Sequence, residues 1–185
     1  MDRVPYRATS GGALYQDLHL PVTILLDNVR SMYNVGSFFR TADGAGIERL
    51  ILSGITARPP HKGIAKTALG AEERVRWQGA DTSLEAIQAL RTAGGHEIAA
   101  VETSNRAVDI FDWQPRFPVC VVFGHEVDGL DQRVLDFCDT HVRIPMLGLK
   151  HSLNVASAGA IIMYELLRKY RRLRSESDQL IGRQA

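Results

Sequence analysis

The chain has 185 residues, of which 45% are hydrophobic and 23% charged, with a formal net charge of +1. That is the length of one ordinary domain with a single sizeable core, and the composition is normal for a globular protein. A near-neutral total neither demands nor excludes nucleic acid, because a basic patch can hide inside a balanced sum.

The first 20 residues mix Gly, Ser, Arg and Asp and read as an arm or short helix, with no apolar run to make a secretory signal. No stretch approaches the ~18 apolar residues of a membrane span, so no membrane partner is expected. The two cysteines, Cys120 and Cys138, lie in or beside apolar runs and read as reduced thiols of a cytoplasmic protein. His61, His96, His125, His141 and His151 are scattered, and none pairs with a cysteine at zinc-like spacing.

Val22 to Leu26 is a short branched apolar run that suits a buried parallel strand. A helix should follow. Asn34 is its candidate cap, Val35, Phe38, Phe39 and Ala42 fall on one face, and Gly44 and Gly46 end it. On these features alone Asn34 is a helix cap and Arg40 a surface arginine.

Leu50 to Leu52 with Ser53–Gly54 makes a second strand and turn. Arg58, His61, Lys62 and Lys66 then cluster around two prolines, as a charged loop that is either solvated or phosphate-binding. Asp81 to Ala93 predicts a helix capped by Thr82 or Ser83 and stopped by Gly94–Gly95. Glu97 to Thr103 is the next strand. Alternating strands and helices argue an α/β sheet with both faces covered, in which ligands sit beyond the carboxyl ends of the strands. Glu102 to Asn105 is such an end, and residues 106 to 117 have no clear place.

Pro118 to Phe123 is the most apolar strand and runs into GHEVDGLD, where Glu126 sits in a turn between Gly124 and Gly129. Asp131 to Cys138 reads as a short helix with Val134, Leu135 and Phe137 inward, and Thr140 to Ile144 as the last strand. A Pro–Gly loop, PMLGLKHSLN, leads into a long apolar helix, and Ser152 and Asn154 both suit its cap. Ile162, Leu166, Tyr170 and Leu173 carry an apolar stripe through the basic run RKYRRLR, so this helix should extend past Arg172. One or two of those basic residues complement the helix dipole, and the remainder suit phosphates.

Three segments carry a resemblance. Asn34, Gly36 and Arg40 form an N-x-G-x-x-x-R pattern. Gly124, Glu126 and Gly129 follow a strand as G-x-E-x-x-G. The stretch from Ile144 reads IPM-x-G-x-x-x-SLNV-x-x-A. In this order they resemble the signature motifs of the SpoU/TrmH family of the SPOUT superfamily, the RNA ribose methyltransferases. The resemblance covers nearly all of the chain after residue 20.

The resemblance implies an α/β fold, a mostly parallel sheet flanked by helices, closed by a deep C-terminal trefoil knot. It implies S-adenosyl-L-methionine as cofactor and methyl transfer to a ribose 2′-hydroxyl, with a homodimer as the working unit. Carried over residue by residue, it puts Arg40, Asn34, Glu126, Ser152 and Asn154 at the transfer site. Gly124, Ile144, Leu153, Met146 and Thr103 fall to the cofactor. The domain layout is an arm (1–20), a methyltransferase domain (21–167) and a basic extension (168–185).

The RNA expected is tRNA, with rRNA the alternative. Base methylation by the same fold and a non-catalytic RNA-binding relative are the competing readings. The family assigns Arg40 the part of a base. A guanidinium is effectively always protonated, which makes that demanding, so electrostatic stabilisation of phosphate and alkoxide stays open beside it.

Overall fold

A computed structural model describes residues 20–181, with side chains through residue 176. The expected arm lies outside the described residues except for Leu20, as do the last four residues of the tail. Seven strands form one sheet: β1 (Leu20–Asp27), β2 (Ile47–Ser53), β3 (Trp77–Ala80), β4 (Glu97–Val101), β5 (Val108–Asp109), β6 (Val119–Phe123) and β7 (Thr140–Arg143). Their order is β3-β2-β1-β6-β4-β7-β5, and every pairing is parallel. Helices α1 (Met32–Ala45), α2 (Lys62–Ala68) and α5 (Val155–Ile181) cover one face, and α3 (Ser83–Ala93) and α4 (Gln132–Asp136) the other.

The strands are apolar throughout because both faces are covered. On β1, Val22, Ile24 and Leu26 pack toward α1 and α5, while Leu25 packs toward α3. On β6, Val119, Val121 and Phe123 take the first side and Cys120 and Val122 the second. Burial pushes both thiol pKa values up, that of Cys138 to about 12, so both stay protonated at neutral pH.

Several local expectations are corrected. Ser31, not Asn34, caps α1: its side chain accepts from the Asn34 N–H, which leaves the Asn34 side chain for other work. Gly44 lies inside α1, and Gly46 alone ends it, in the left-handed region at φ 68°. The charged segment after the two prolines is a helix, α2, capped by the His61 ring. The Arg58 guanidinium is occupied, donating to the Ala80 carbonyl. Phe137 is exposed rather than inward, because α4 ends one residue before it. β4 stops at Val101 and β7 at Arg143, so Thr103 and Ile144 are loop residues at strand ends.

Residues 106 to 117 find their place through two buried charges. Glu97 accepts from Trp113 Nε1, Arg116 N–H and Thr140 Oγ1, and Lys169 of α5 donates to the Phe111 and Trp113 carbonyls. Each charge is buried with its partners supplied, as burial requires.

α5 does extend past Arg172, to Ile181. Its stripe is buried at Ile162 and Leu166, half-buried at Tyr170 and exposed at Leu173. Within the basic run Arg168 pairs with Glu165, Arg172 with Glu176, and Lys169 is buried. No helix among the described residues is long and apolar enough to cross a membrane.

The α1–α5 contact has one tight point. A Cβ on Gly159 would overlap the Phe38 ring, which itself meets Phe123 edge-on at 5.1 Å between centroids. Replacing Gly159 by Val should lower stability by about 1–3 kcal/mol, the usual cost of overpacking. The Ala variant should lose less, because a helix gains about 1 kcal/mol when Gly becomes Ala. Urea unfolding of the three proteins checks the order.

Candidate active site

The sheet order reverses direction between β1 and β6, whose carboxyl ends lie side by side with Leu26 opposite Phe123. A crevice at such a switch point is where open α/β sheets take ligands. Two loops meet there, Asn28 to Ser31 after β1 and Gly124 to Gly129 after β6.

The second loop is a tight turn. His125 and Gly129 exchange both backbone hydrogen bonds at 3.0 Å, and the His125 ring accepts from the Val127 and Asp128 N–H groups. A Cβ on Gly124 would run into the Gly129 backbone, so the turn itself demands glycine there.

This turn points Glu126 across the crevice. Arg30 N–H donates to Oε2 at 3.0 Å, Ser31 N–H to Oε1 at 2.9 Å, and Asn34 Nδ2 to Oε1 at 3.0 Å. Burial pushes the Glu126 pKa up, but the hydrogen bonds from Arg30, Ser31 and Asn34 outweigh it, and the net shift is down. The carboxylate is therefore ionised at neutral pH, and with both oxygens engaged by donors it is a weak proton acceptor.

A second relay arrives from α5. Asn154 Oδ1 caps the helix, accepting from Ala156 N–H at 2.9 Å and Ser157 N–H at 3.3 Å. That fixes which end of the amide is oxygen, so Nδ2 faces Asn34 and donates to its Oδ1 at 3.1 Å. Asn34 must then turn its own Nδ2 to Glu126. One hydrogen-bonded line, Asn154 to Asn34 to Glu126, joins the three sequence motifs. It leaves one N–H on each asparagine and one lone pair on Asn34 Oδ1 for a substrate.

Beside the relay lies a cavity of about 430 Å³ at the carboxyl ends of β4, β6 and β7. Its lining includes eight of the ten predicted residues: Thr103, Gly124, Glu126, Ile144, Met146, Ser152, Leu153 and Asn154. Ser152 is exposed and makes no hydrogen bond among the described residues. Val101, Phe123, Val155 and Ala158 supply further apolar wall, and Glu102, His125 and Arg143 polar wall. The volume and mixed lining suit a ligand of nucleoside size. No group of three His, Cys, Asp or Glu that could hold a metal ion occurs among the described residues.

Asn34 joins the site through the relay rather than through the cavity wall. Arg40 is exposed on α1, six residues and about 9 Å along the axis from Asn34. It is not among the residues that line this cavity. Sequence reasoning missed the main-chain donors of Arg30 and Ser31, which no side-chain pattern signals. It also missed Glu102 as a wall residue, although its place at a strand end was a signal.

Glu126 makes the site sensitive to acid. Its folded pKa lies below the ordinary value near 4.5, so the stability it contributes is present above that value and lost as pH falls through the folded pKa. Glu126→Gln presents an amide N–H to main-chain donors and should be less stable than wild type at pH 7. The gap should narrow below about pH 4.5 as the wild-type carboxyl protonates. Urea midpoints of both proteins from pH 7 to pH 3.5 check this.

Residues 21–164 match the model of the SpoU rRNA Methylase family. A putative TrmH family tRNA/rRNA methyltransferase of Staphylococcus epidermidis is 34% identical over 154 residues, which cover 83% of this chain and 61% of that protein. An AdoMet-bound rRNA methyltransferase from Sinorhizobium meliloti superposes with a TM-score of 0.74 at 29% identity, over 82% of this chain and 59% of that one. A structure described as an RNA 2′-O ribose methyltransferase gives 0.73 at 25% identity, over 91% and 62%. The chain spans about 60% of the length of the curated relatives it matches. With the family model covering most of the chain, and the three motifs joined in one site, this protein belongs to the SpoU rRNA methylase family.

Proposed function

We propose that this chain transfers a methyl group from S-adenosylmethionine to a ribose 2′-hydroxyl of RNA, with tRNA the first substrate class and rRNA the second. The observation that carries the reading is the Asn154–Asn34–Glu126 relay set against a cavity of nucleoside size. The cofactor and RNA chemistry named for the relatives described above supports it.

The residues present fit such a cofactor. Apolar walls from Phe123, Ile144 and Leu153 suit an adenine ring, and loop backbone beyond β7 offers groups for its polar edge. When bound, the cofactor supplies an electrophilic methyl group. The protein supplies position, a resource of up to about 7–11 kcal/mol for such a step. Asn34 and Asn154 hold the incoming hydroxyl with their remaining N–H groups and the free Oδ1 lone pair. Ser152, on the cavity wall, adds a hydroxyl that can donate or accept. Glu126 keeps Asn34 from turning.

Arg40 acts from outside the cavity of its own chain. Its permanent charge favours a role at the substrate phosphate and the developing alkoxide over that of a base. A homodimer would bring a second copy's surface to the mouth of the site. The segment around Ile144–Leu153 would form the trefoil knot that closes the cavity floor. Residues 21–167 would carry the chemistry in the cytoplasm, and the helix extension from residue 168 would add affinity for RNA backbone without reading sequence.

Labelled S-adenosylmethionine is incubated with total RNA lacking the modification, and the RNA is digested to nucleosides. Label should appear on ribose, and Arg40→Ala should lower the rate by about 10²–10³-fold, the usual loss for one transition-state charge. Label on a base would overturn the reaction. An undiminished rate in the variant would remove Arg40 from the site.

A further inference from the structure

Two carboxylates line the cavity, and they stand in opposite states. Glu126 has both oxygens filled by three donors. Glu102 has one. Its Oε1 accepts from Thr103 N–H at 2.7 Å and from Thr103 Oγ1 at 3.4 Å. Its Oε2 accepts no hydrogen bond among the described residues.

Geometry fixes where that open oxygen lies. The Glu102 N–H is tied to the Val142 carbonyl, which holds the residue at the end of β4 beside β7. The Thr103 N–H then anchors Oε1. Oε2 is left against the Gly124–Gly129 turn, 3.1 Å from where a Cβ on Gly129 would stand. The residue is half-buried and shares the cavity lining with Val101, Phe123 and Ile144. Oε2 is not a buried unpartnered atom but opens onto the cavity, so it stands available as an acceptor for a donor on a bound ligand.

We propose that Glu102 Oε2 accepts a hydrogen bond from a ribose hydroxyl of the cofactor's adenosine, and so sets the enzyme's preference for an intact ribose diol. This rests on the reading of the cavity as the cofactor site. The nucleoside is the part of the cofactor that needs enclosed apolar walls, and Glu102 stands among them. The amino-acid end carries two full charges and belongs toward solvent, where Arg143 and His151 are exposed on the same rim. β4 also lies beyond β6 from the relay, about 10 Å from the β1 end at ordinary strand spacing. Glu102 therefore faces a part of the cofactor other than the methyl being delivered.

The test is calorimetric and needs no turnover. S-adenosylhomocysteine, its 2′-deoxy and 3′-deoxyribose analogues and its desamino analogue are titrated into the full chain as wild type, Glu102→Ala and Glu102→Gln. Glu102→Ala should bind the parent about 10- to 100-fold more weakly, the range for a hydrogen bond to a charged group. One deoxy analogue should show a similar loss on wild type and almost no further loss on Glu102→Ala. Glu102→Gln keeps an acceptor and should fall between the two, and unchanged melting of the free variants separates binding from folding.

The proposal is overturned if Glu102→Ala binds the parent as wild type does, or if both deoxy penalties persist undiminished in that variant. It is overturned in favour of an ammonium contact if the desamino penalty is the one that vanishes. If wild type binds none of the ligands, the cofactor reading itself fails and takes this inference with it.

Discussion

The site depends on one carboxylate reaching across a parallel sheet. Glu126 leaves the end of β6 and accepts two main-chain N–H groups from the loop after β1. Those donors stand just ahead of α1, on Arg30 and the cap residue Ser31. Ser31 caps the helix through the Asn34 N–H, and Glu126 ties down the cap residue itself from 95 positions away in sequence. An anion at that end is also favoured by the helix dipole. The strand order makes this possible, because only the adjacency of β1 and β6 brings the two loops together.

From that anchor the amide orientations follow without choice. Asn154 caps α5 with its oxygen, so its nitrogen must meet Asn34, and Asn34 must present nitrogen to Glu126. Each link is an ordinary hydrogen bond, worth about 0.5–1.5 kcal/mol net, and more where the carboxylate takes part. Their value lies in direction. A line with one polarity holds two amides in fixed poses beside the cavity, as positioning catalysis needs. The tail shows the opposite use of charge. Much of its basic run is engaged within α5 or buried, so any attraction for RNA from that helix is smaller than a count of arginines suggests.

The sheet was legible because its strands are short, branched and apolar, and Gly46 and Gly94 punctuate as glycine does after helices. The three motifs led to Asn34, Glu126 and Asn154. Their connection was hidden, because the residues lie 28 to 120 positions apart and four of the six hydrogen bonds come from main-chain N–H groups. Asn34 was misread as a cap because Ser31, three residues earlier, offers the same chemistry. α2 was hidden behind two prolines and four polar side chains, and its apolar contacts, Ile64 and Ala68, are too few to show a period. The segment around Trp113 could not be placed because its support comes from Glu97 and Lys169, distant charged residues that composition assigns to the surface. Glu102 read as the end of a strand, and only the position of its second oxygen distinguishes it.

The claim that the motifs act as one unit is tested most directly by a double-mutant cycle on Glu126→Ala and Asn154→Ala, read as unfolding free energy. The two side chains do not touch, and Asn34 lies between them. A relay with one polarity predicts a coupling within the 0.5–3 kcal/mol range of residues that share a network, roughly its lower half, and its disappearance when Asn34 is also replaced by Ala. Additive losses, agreeing within about 0.3–0.5 kcal/mol, would mean that the three motifs are neighbours without being connected.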